Sequence, residues 1–81
     1  MDEDSQSINL NITKEMALKI GEALFYVGSS QEFIDKTDIG VRDRGDGTYA
    51  VFCYEKGIVG GDTTYVIRKT DGKVMAVEYG E

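Results

Sequence analysis

The sequence predicts a small α+β domain, in which an N-terminal amphipathic helix and a short second helix pack on an antiparallel meander of about four strands. Two observations predict this fold. Apolar residues first recur at three- and four-residue steps, the period of a helix, and after residue 38 they alternate, the period of a strand. The chain has 81 residues, so we expect a single α+β domain over residues 12–81 with one modest core, preceded by a flexible acidic tail over residues 1–11.

The first helix is predicted to begin after Thr13, whose hydroxyl can cap a backbone N–H, and to end at Gly28. The side chains expected to face the core share one side of this helix: Met16, Ala17, Ile20, Leu24 and Val27. Ser29 and Glu32 then have the spacing of a capping box, which predicts a short second helix through about Lys36.

Four strands are predicted at 39–43, 48–56, 63–69 and 73–79, joined by turns rich in glycine and aspartate. The second strand is apolar on both sides and should therefore lie inside the sheet. Because the single long helix can cover only one face of the sheet, the apolar side chains on the other face of this strand must be covered by something other than that helix. Its aromatic side chains there are explained equally by cross-strand packing and by a binding face. Ile8 and Leu10 of the tail, or a second copy in a homodimer, are further candidates for cover.

The residue types exclude several chemistries. With no histidine and one cysteine, the chain has no His-dependent triad, no Cys–His pair and no ordinary zinc site. Asp43, Asp46 and Asp71 lie in glycine-rich turns, but without the regular ligand spacing of a calcium loop, so turn chemistry is the better interpretation. We therefore expect no catalytic residue, no metal, no cofactor and no enzymatic activity. Cys53, within an apolar strand, is predicted to be a buried, inert thiol.

The charge balance points to the class of partner. Fifteen acidic and nine basic residues give a net charge of −6, which disfavours nucleic acid and anionic lipid and favours a basic protein. No apolar run approaches the ~20 residues that span a bilayer, and the acidic start is unlike a signal peptide. The expectation is a cytoplasmic protein that binds neither membrane nor nucleic acid.

The C-terminal half carries a recognisable pattern after the helix residues Ala17-Leu18-Lys19-Ile20. It consists of Tyr49-Ala50-Val51, Gly60-Gly61, Tyr65-Val66-Ile67, Lys69-Thr70-Asp71-Gly72-Lys73-Val74 and Tyr79-Gly80-Glu81. This pattern resembles the small bacterial immunity proteins with a nuclear-transport-factor-2-like fold. The ending Asp71-Gly72-Lys73-Val74 is also similar to peptidase-propeptide and YpeB-type domains. Both resemblances imply a protein that inhibits or holds another protein.

The function predicted from these observations is that of a non-catalytic, immunity-type inhibitor, which sequesters a cognate protein toxin or effector such as a basic nuclease. The candidate partner contacts lie at the turns and on the central strand: Asp43, Asp46, Tyr54, Glu55 and Asp62. Two alternatives stay open. One is a phage-type anti-nuclease whose carboxylates imitate phosphates, and the other is a module that binds a small ligand on the sheet.

Overall fold

A computed structural model describes residues 11–57 and 61–80, and it has the predicted α+β architecture. The helices are α1 (Lys14–Val27) and α2 (Gln31–Asp35), and the strands are β1 (Thr37–Asp43), β2 (Thr48–Glu55), β3 (Thr63–Arg68) and β4 (Val74–Tyr79). Each predicted strand is present with its ends within two residues of the expected positions. The predicted tail lies outside the described residues except for Asn11, as does the middle of the predicted loop between β2 and β3.

Helix α1 begins where its cap predicts. The Thr13 hydroxyl accepts a hydrogen bond from the N–H of Met16 at 3.1 Å, and the sulfur of Met16 lies 3.4 Å from the N–H of Thr13. Two donors that the helix itself leaves unpaired are thus satisfied. Gly28 is the C-cap with φ of −103°, so this position does not use the left-handed conformation that glycine permits.

The predicted core-facing side of α1 is only partly right. The buried residues are Ala17, Gly21 and Phe25, at steps of four, whereas Met16, Leu24 and Val27 are exposed, Val27 by 87%. The reason is Gly21, which has no side chain and lets the helix backbone approach β2 closely. The helix therefore rests on the sheet along the line through Gly21, and the larger apolar side chains on either side of that line remain partly in solvent.

Helix α2 begins one residue later than the capping-box spacing indicates. Its cap is Ser30, which accepts a hydrogen bond from the N–H of Phe33 at 3.2 Å. Ser29 instead donates its hydroxyl to the carbonyl of Phe25 at 2.8 Å, at the end of α1. The Phe33 ring packs on Phe25 with ring centroids 5.6 Å apart, which docks this single helical turn beside α1.

The four strands form one antiparallel sheet in the order β1-β2-β3-β4, as a meander requires. One register line runs through Val41, Val51, Tyr65 and Val77. Strand β2 is internal, as its apolar sequence predicts. The pairing of β3 with β4 shifts at Val66 and Ile67, where a bulge adds a residue to β4.

The core lies between α1 and the sheet. Its fully buried members are Ala17, Val51 and Ile67. The half-buried apolar residues around them are Ile12, Leu18, Ile20, Ile39, Val41, Tyr49, Tyr65 and Val74. Helix α1 packs mainly on β1 and β2. The same side of β3 and β4 is consequently less covered.

Candidate functional site

The sheet face opposite α1, called the open face below, consists of alternate residues of the four strands. Since neighbouring residues of a strand point to opposite faces, the register assigns to it Asp38, Gly40, Arg42, Thr48, Ala50, Phe52, Tyr54, Thr64, Val66, Arg68, Ala76 and Glu78. Ala50 and Val66 of this face are buried. The face therefore offers a shallow apolar strip with longer side chains at both ends.

An aromatic pair dominates one end of the open face. The rings of Phe52 and Tyr54 are stacked, with centroids 6.0 Å apart and an interplanar angle of 21°. The Phe52 ring lies over Gly40 of β1, since a Cβ atom on Gly40 would be 2.6 Å from the ring. Glycine at this position lets the ring lie across the neighbouring strand. Tyr54 is 40% exposed.

Two carboxylates border this aromatic pair. Asp38 is the β1 partner of Tyr54, and Glu78 of β4 is in the same cross-strand row as Phe52, with Thr64 between them. Asp38 has one ion-pair partner among the described residues, Lys56, whose Nζ lies 3.7 Å from the carboxylate. We call the group of Asp38, Phe52, Tyr54 and Glu78 the acidic-aromatic patch. Arg42 and Arg68 lie at the other end of the open face, so the patch and the guanidinium groups are separated.

Of the predicted contact residues, Tyr54 lies within the patch and two others lie close to it. Glu55 is the last residue of β2, on the α1 side of the sheet. Asp62 directly precedes β3, and its carbonyl accepts the N–H of Gly80 at 2.7 Å. Among residues 11–57 and 61–80, neither carboxylate forms an ion pair. Both therefore add uncompensated negative charge to the end of the sheet that carries the patch.

Asp43 and Asp46 lie at the opposite end of β2, about 20 Å from Glu55 by the rise of the strand. Both are used by the local structure. Asp43 accepts the N–H of Gly45 at 2.8 Å and the ammonium of Lys69 at 2.8 Å, and these bonds, that with Lys69 foremost, lower the pKa of Asp43. Asp46 accepts the N–H of Thr48 at 3.1 Å, and the hydrogen bond from the Thr48 hydroxyl is the main cause of its lowered pKa.

The turn that contains these two aspartates needs its glycines. Gly45 and Gly47 have φ of 78° and 90°, backbone angles that residues other than glycine rarely adopt. The interpretation of this segment as turn chemistry accounts for the bonds from Gly45 and Thr48, while the Asp43–Lys69 pair joins the turn to the end of β3. The five predicted contacts do not form one cluster: the structure brings Tyr54, Glu55 and Asp62 to one end and places Asp43 and Asp46 at the other.

Three members of the patch were missed as contact residues in the sequence. Phe52 stands two positions before Tyr54, and this i,i+2 spacing of aromatics on an internal strand is a signal that could have paired them. Asp38 and Glu78 come from outer strands on either side. Their proximity to the aromatic pair depends on the strand register, which the sequence does not state directly.

Cys53 lies on the α1 side of β2 and is buried, as predicted. Desolvation, with a smaller contribution from the charge of Glu22, raises the pKa of its thiol to about 11. The thiol is therefore protonated at neutral pH. The described part of the chain encloses no detectable pocket, and within it no three Cys, Asp or Glu residues are placed to hold a metal ion.

Comparison with protein-family models, with curated proteins and with solved structures gives no match to this chain. The resemblance to immunity proteins accordingly stays a hypothesis carried by the residues quoted for it. Neither described helix is long and apolar enough to cross a bilayer.

Proposed function

We propose that this chain is a non-catalytic binding protein of the immunity type, which sequesters a basic protein toxin or effector through the acidic-aromatic patch. The observation that carries the proposal is the Phe52–Tyr54 stack on the sheet face opposite α1, bordered by Asp38 and Glu78. Aromatic side chains that are half-buried in the free protein supply large contact area at low entropic cost, and they are enriched among the residues that dominate binding energy.

Electrostatics supports a basic partner. The chain has a net charge of −6. Glu55, Asp62 and Glu78 are without ion-pair partners in the described segments, whereas Asp38 is paired with the exposed Lys56. A negative surface of this kind speeds the approach of a basic protein, while the buried aromatic contacts hold the complex together. The resemblance to immunity proteins adds the type of partner, a toxin or effector domain.

The proposal is tested by capture from the native lysate with the tagged wild-type chain and two matched variants. Tyr54→Ala removes the patch tyrosine. Tyr26→Ala removes a tyrosine of similar exposure, 44% against 40%, that lies on α1 away from the patch. We expect one stoichiometric basic partner with wild type and with Tyr26→Ala, and at least a ~10-fold weaker affinity with Tyr54→Ala, as for an interface anchor. Circular dichroism checks that both variants are folded.

Charge variants separate this proposal from an anti-nuclease that imitates phosphates. Glu78→Gln together with Asp62→Asn should slow association and reduce its salt dependence, with a smaller effect on dissociation than Tyr54→Ala. In a phosphate mimic the carboxylates would carry the affinity and the tyrosine little. Equal capture by wild type and Tyr54→Ala would remove the basis for a binding site at the patch.

A further inference from the structure

The open face carries opposite charges at its two ends. Its side chains lie in four cross-strand rows, which the register gives as Asp38–Tyr54, Gly40–Phe52–Thr64–Glu78, Arg42–Ala50–Val66–Ala76 and Thr48–Arg68. The carboxylates occupy the first two rows, and the guanidinium groups occupy the last two. The rise along β1 separates Asp38 from Arg42 by about 14 Å. The face is therefore bipolar along the direction of its strands.

Arg42 supplies the available positive charge at its end of the face. Its side chain is exposed, and it forms no ion pair within residues 11–57 and 61–80. Arg68, by contrast, is held by the carboxylate of Asp71. At the other end, Glu78 is exposed and also has no ion-pair partner in the same residues. A surface that complements this face must offer a carboxylate to one end and a cation to the other.

The relief of the face changes between the second and third rows. The second row is raised by the Phe52 ring, which lies over Gly40. The third row has small side chains beside Arg42, and Ala50 and Val66 in it are buried. Since the inner faces of two stacked sheets interdigitate, a large side chain fits best opposite such a row of small ones.

We propose that the open face packs on the open face of a second copy of this chain, with a two-fold axis that crosses the strands at the level of Val51. The axis reverses the strand direction between the copies, so the second row of each lies over the third row of the other. Phe52 of one copy then faces Ala50 of the other, which places a large side chain over a small one.

The same axis satisfies the charges of both copies. Arg42 of one copy faces Gly40 of the other, within reach of the Asp38 carboxylate and the Phe52 ring on either side of that glycine. Glu78 faces Ala76, so no two like charges lie opposite each other. An axis parallel to the strands would instead stack the carboxylates of the two copies on each other, which is repulsive. Charge complementarity thus selects the antiparallel arrangement.

The size of the face predicts a weak, reversible dimer. The face measures about 15 Å across four strands and about 20 Å along them, whereas stable interfaces bury about 800 Å² on each partner. Each copy also has a net charge of −6, which opposes association at a distance. The inference does not rest on toxin binding. Both use the open face, however, so a tightly bound protein partner would displace the second copy.

Sedimentation velocity of the full chain from about 10 µM to about 1 mM tests the proposal. Wild type should form a dimer whose fraction rises with concentration. Arg42→Glu and Asp38→Lys should each weaken the dimer at least ~10-fold, because each brings like charges together in the interface. An equimolar mixture of these two variants should recover the dimer, because opposite charges then meet again at both ends of the face.

Lys19→Glu is the matched control, since it makes the same change of charge on the exposed side of α1 and should dimerise as wild type does. Circular dichroism checks that each variant is folded. A wild type that stays monomeric over this range would overturn the proposal. A dimer that Arg42→Glu leaves intact would also overturn it, because the copies would then meet elsewhere, for example along β4.

A mixture of Arg42→Glu and Asp38→Lys that stays monomeric would show that the two ends of the face do not meet, and it would overturn the proposed axis. Capture of a protein partner from the lysate is a separate measurement. Either proposal can therefore fail while the other holds.

Discussion

Gly21 of α1 lies directly against Val51 of β2: a Cβ atom on Gly21 would be 2.7 Å from the Cβ atom of Val51, closer than such atoms approach in real structures. The helix backbone itself thus rests on a fully buried position of the sheet. This contact sets the height of α1 above β2, and it explains why the neighbouring apolar side chains of the helix are not drawn further into the core.

Gly21→Ala is expected to destabilise the protein, although alanine is the better helix former. The gain in helix propensity is about 1 kcal/mol, and the forced separation of helix and sheet costs about 1–3 kcal/mol, so a net loss of about 1 kcal/mol is expected. Gly28→Ala is the control, because no heavy atom lies within 4 Å of a Cβ atom there and its φ of −103° suits alanine. Urea unfolding measures both, and a stabilised Gly21→Ala would contradict the close contact.

Gly40 and Phe52 should be energetically coupled. Gly40→Ala pushes against the Phe52 ring and is expected to cost about 1–2 kcal/mol. In a Phe52→Ala background the same change should cost nothing, because the obstructing ring is gone. A double-mutant cycle by urea unfolding should therefore give a coupling free energy of about 1–2 kcal/mol. Additive effects of the two changes would show that the ring does not lie over Gly40.

Thr13→Ala removes the hydroxyl that accepts the N–H of Met16 at 3.1 Å. The expected loss is about 1 kcal/mol in the free energy of unfolding, the usual cost of an N-cap. Thr13→Ser is the matched control, since it keeps an acceptor oxygen at the same position and should stay close to wild type. Thermal and urea unfolding distinguish the two, and equal losses would assign the effect to the methyl group.

Asp71 should contribute to the acid sensitivity of the fold. The hydrogen bonds from Arg68, with a smaller contribution from the N–H of Lys73, lower the pKa of Asp71 from 3.8 to about 2. A lowered pKa in the folded state means that the unfolded chain takes up the proton first as the pH falls. The stabilisation by Asp71 is therefore complete above about pH 4 and is lost as the pH falls towards about 2.

Asp71→Asn keeps an acceptor for Lys73 but cannot titrate. The free energy of unfolding of this variant should fall less steeply than that of wild type between about pH 4 and about pH 2. Arg68→Gln should flatten the profile in the same direction, since it removes the main cause of the shift. Urea unfolding across this pH range provides the measurement. Parallel profiles for wild type and Asp71→Asn would show that the pair does not persist in solution.

Cys53 should react only when the protein unfolds. Its buried thiol has a pKa of about 11, against 9.0 for a free group, so the thiolate fraction at pH 8 is about 100-fold smaller than in an unfolded chain. A chromogenic disulfide reagent should accordingly label the native protein at least ~100-fold more slowly than the protein in urea. Cys53→Ser gives the background. Rapid labelling without denaturant would show that β2 is accessible.

The strand positions could be predicted from the sequence because their signals are local. Alternation of apolar residues and Asp-Gly turns fixes each strand to within about two residues, and the Thr13 cap fixes the start of α1. The buried side of α1 was less predictable. Counting apolar residues gives weight to Val27 and none to Gly21, yet Gly21 is buried against the Val51 side chain because it has no side chain of its own.

The candidate site was only partly predictable for a related reason. Tyr54 and Phe52 can be placed on one face by their spacing along β2. Asp38 and Glu78 join them only through the register of β1 and β4, a long-range property. Asp43 depends on the same kind of long-range property: its ion pair with Lys69, 26 residues away along the chain, could not be read from the sequence.

The meander has a consequence for how the chain folds. Every described strand pairs with its neighbour in sequence, so each hairpin closes a short loop. Pairing of these strands therefore requires no contact between segments far apart in the sequence. The chain also lacks proline, the usual source of slow refolding phases. Among the described elements, helix α1 packs across a longer sequence separation, on β1 and β2. Refolding should therefore occur in one fast phase, limited by the docking of the helix backbone at Gly21 onto a sheet that is already forming.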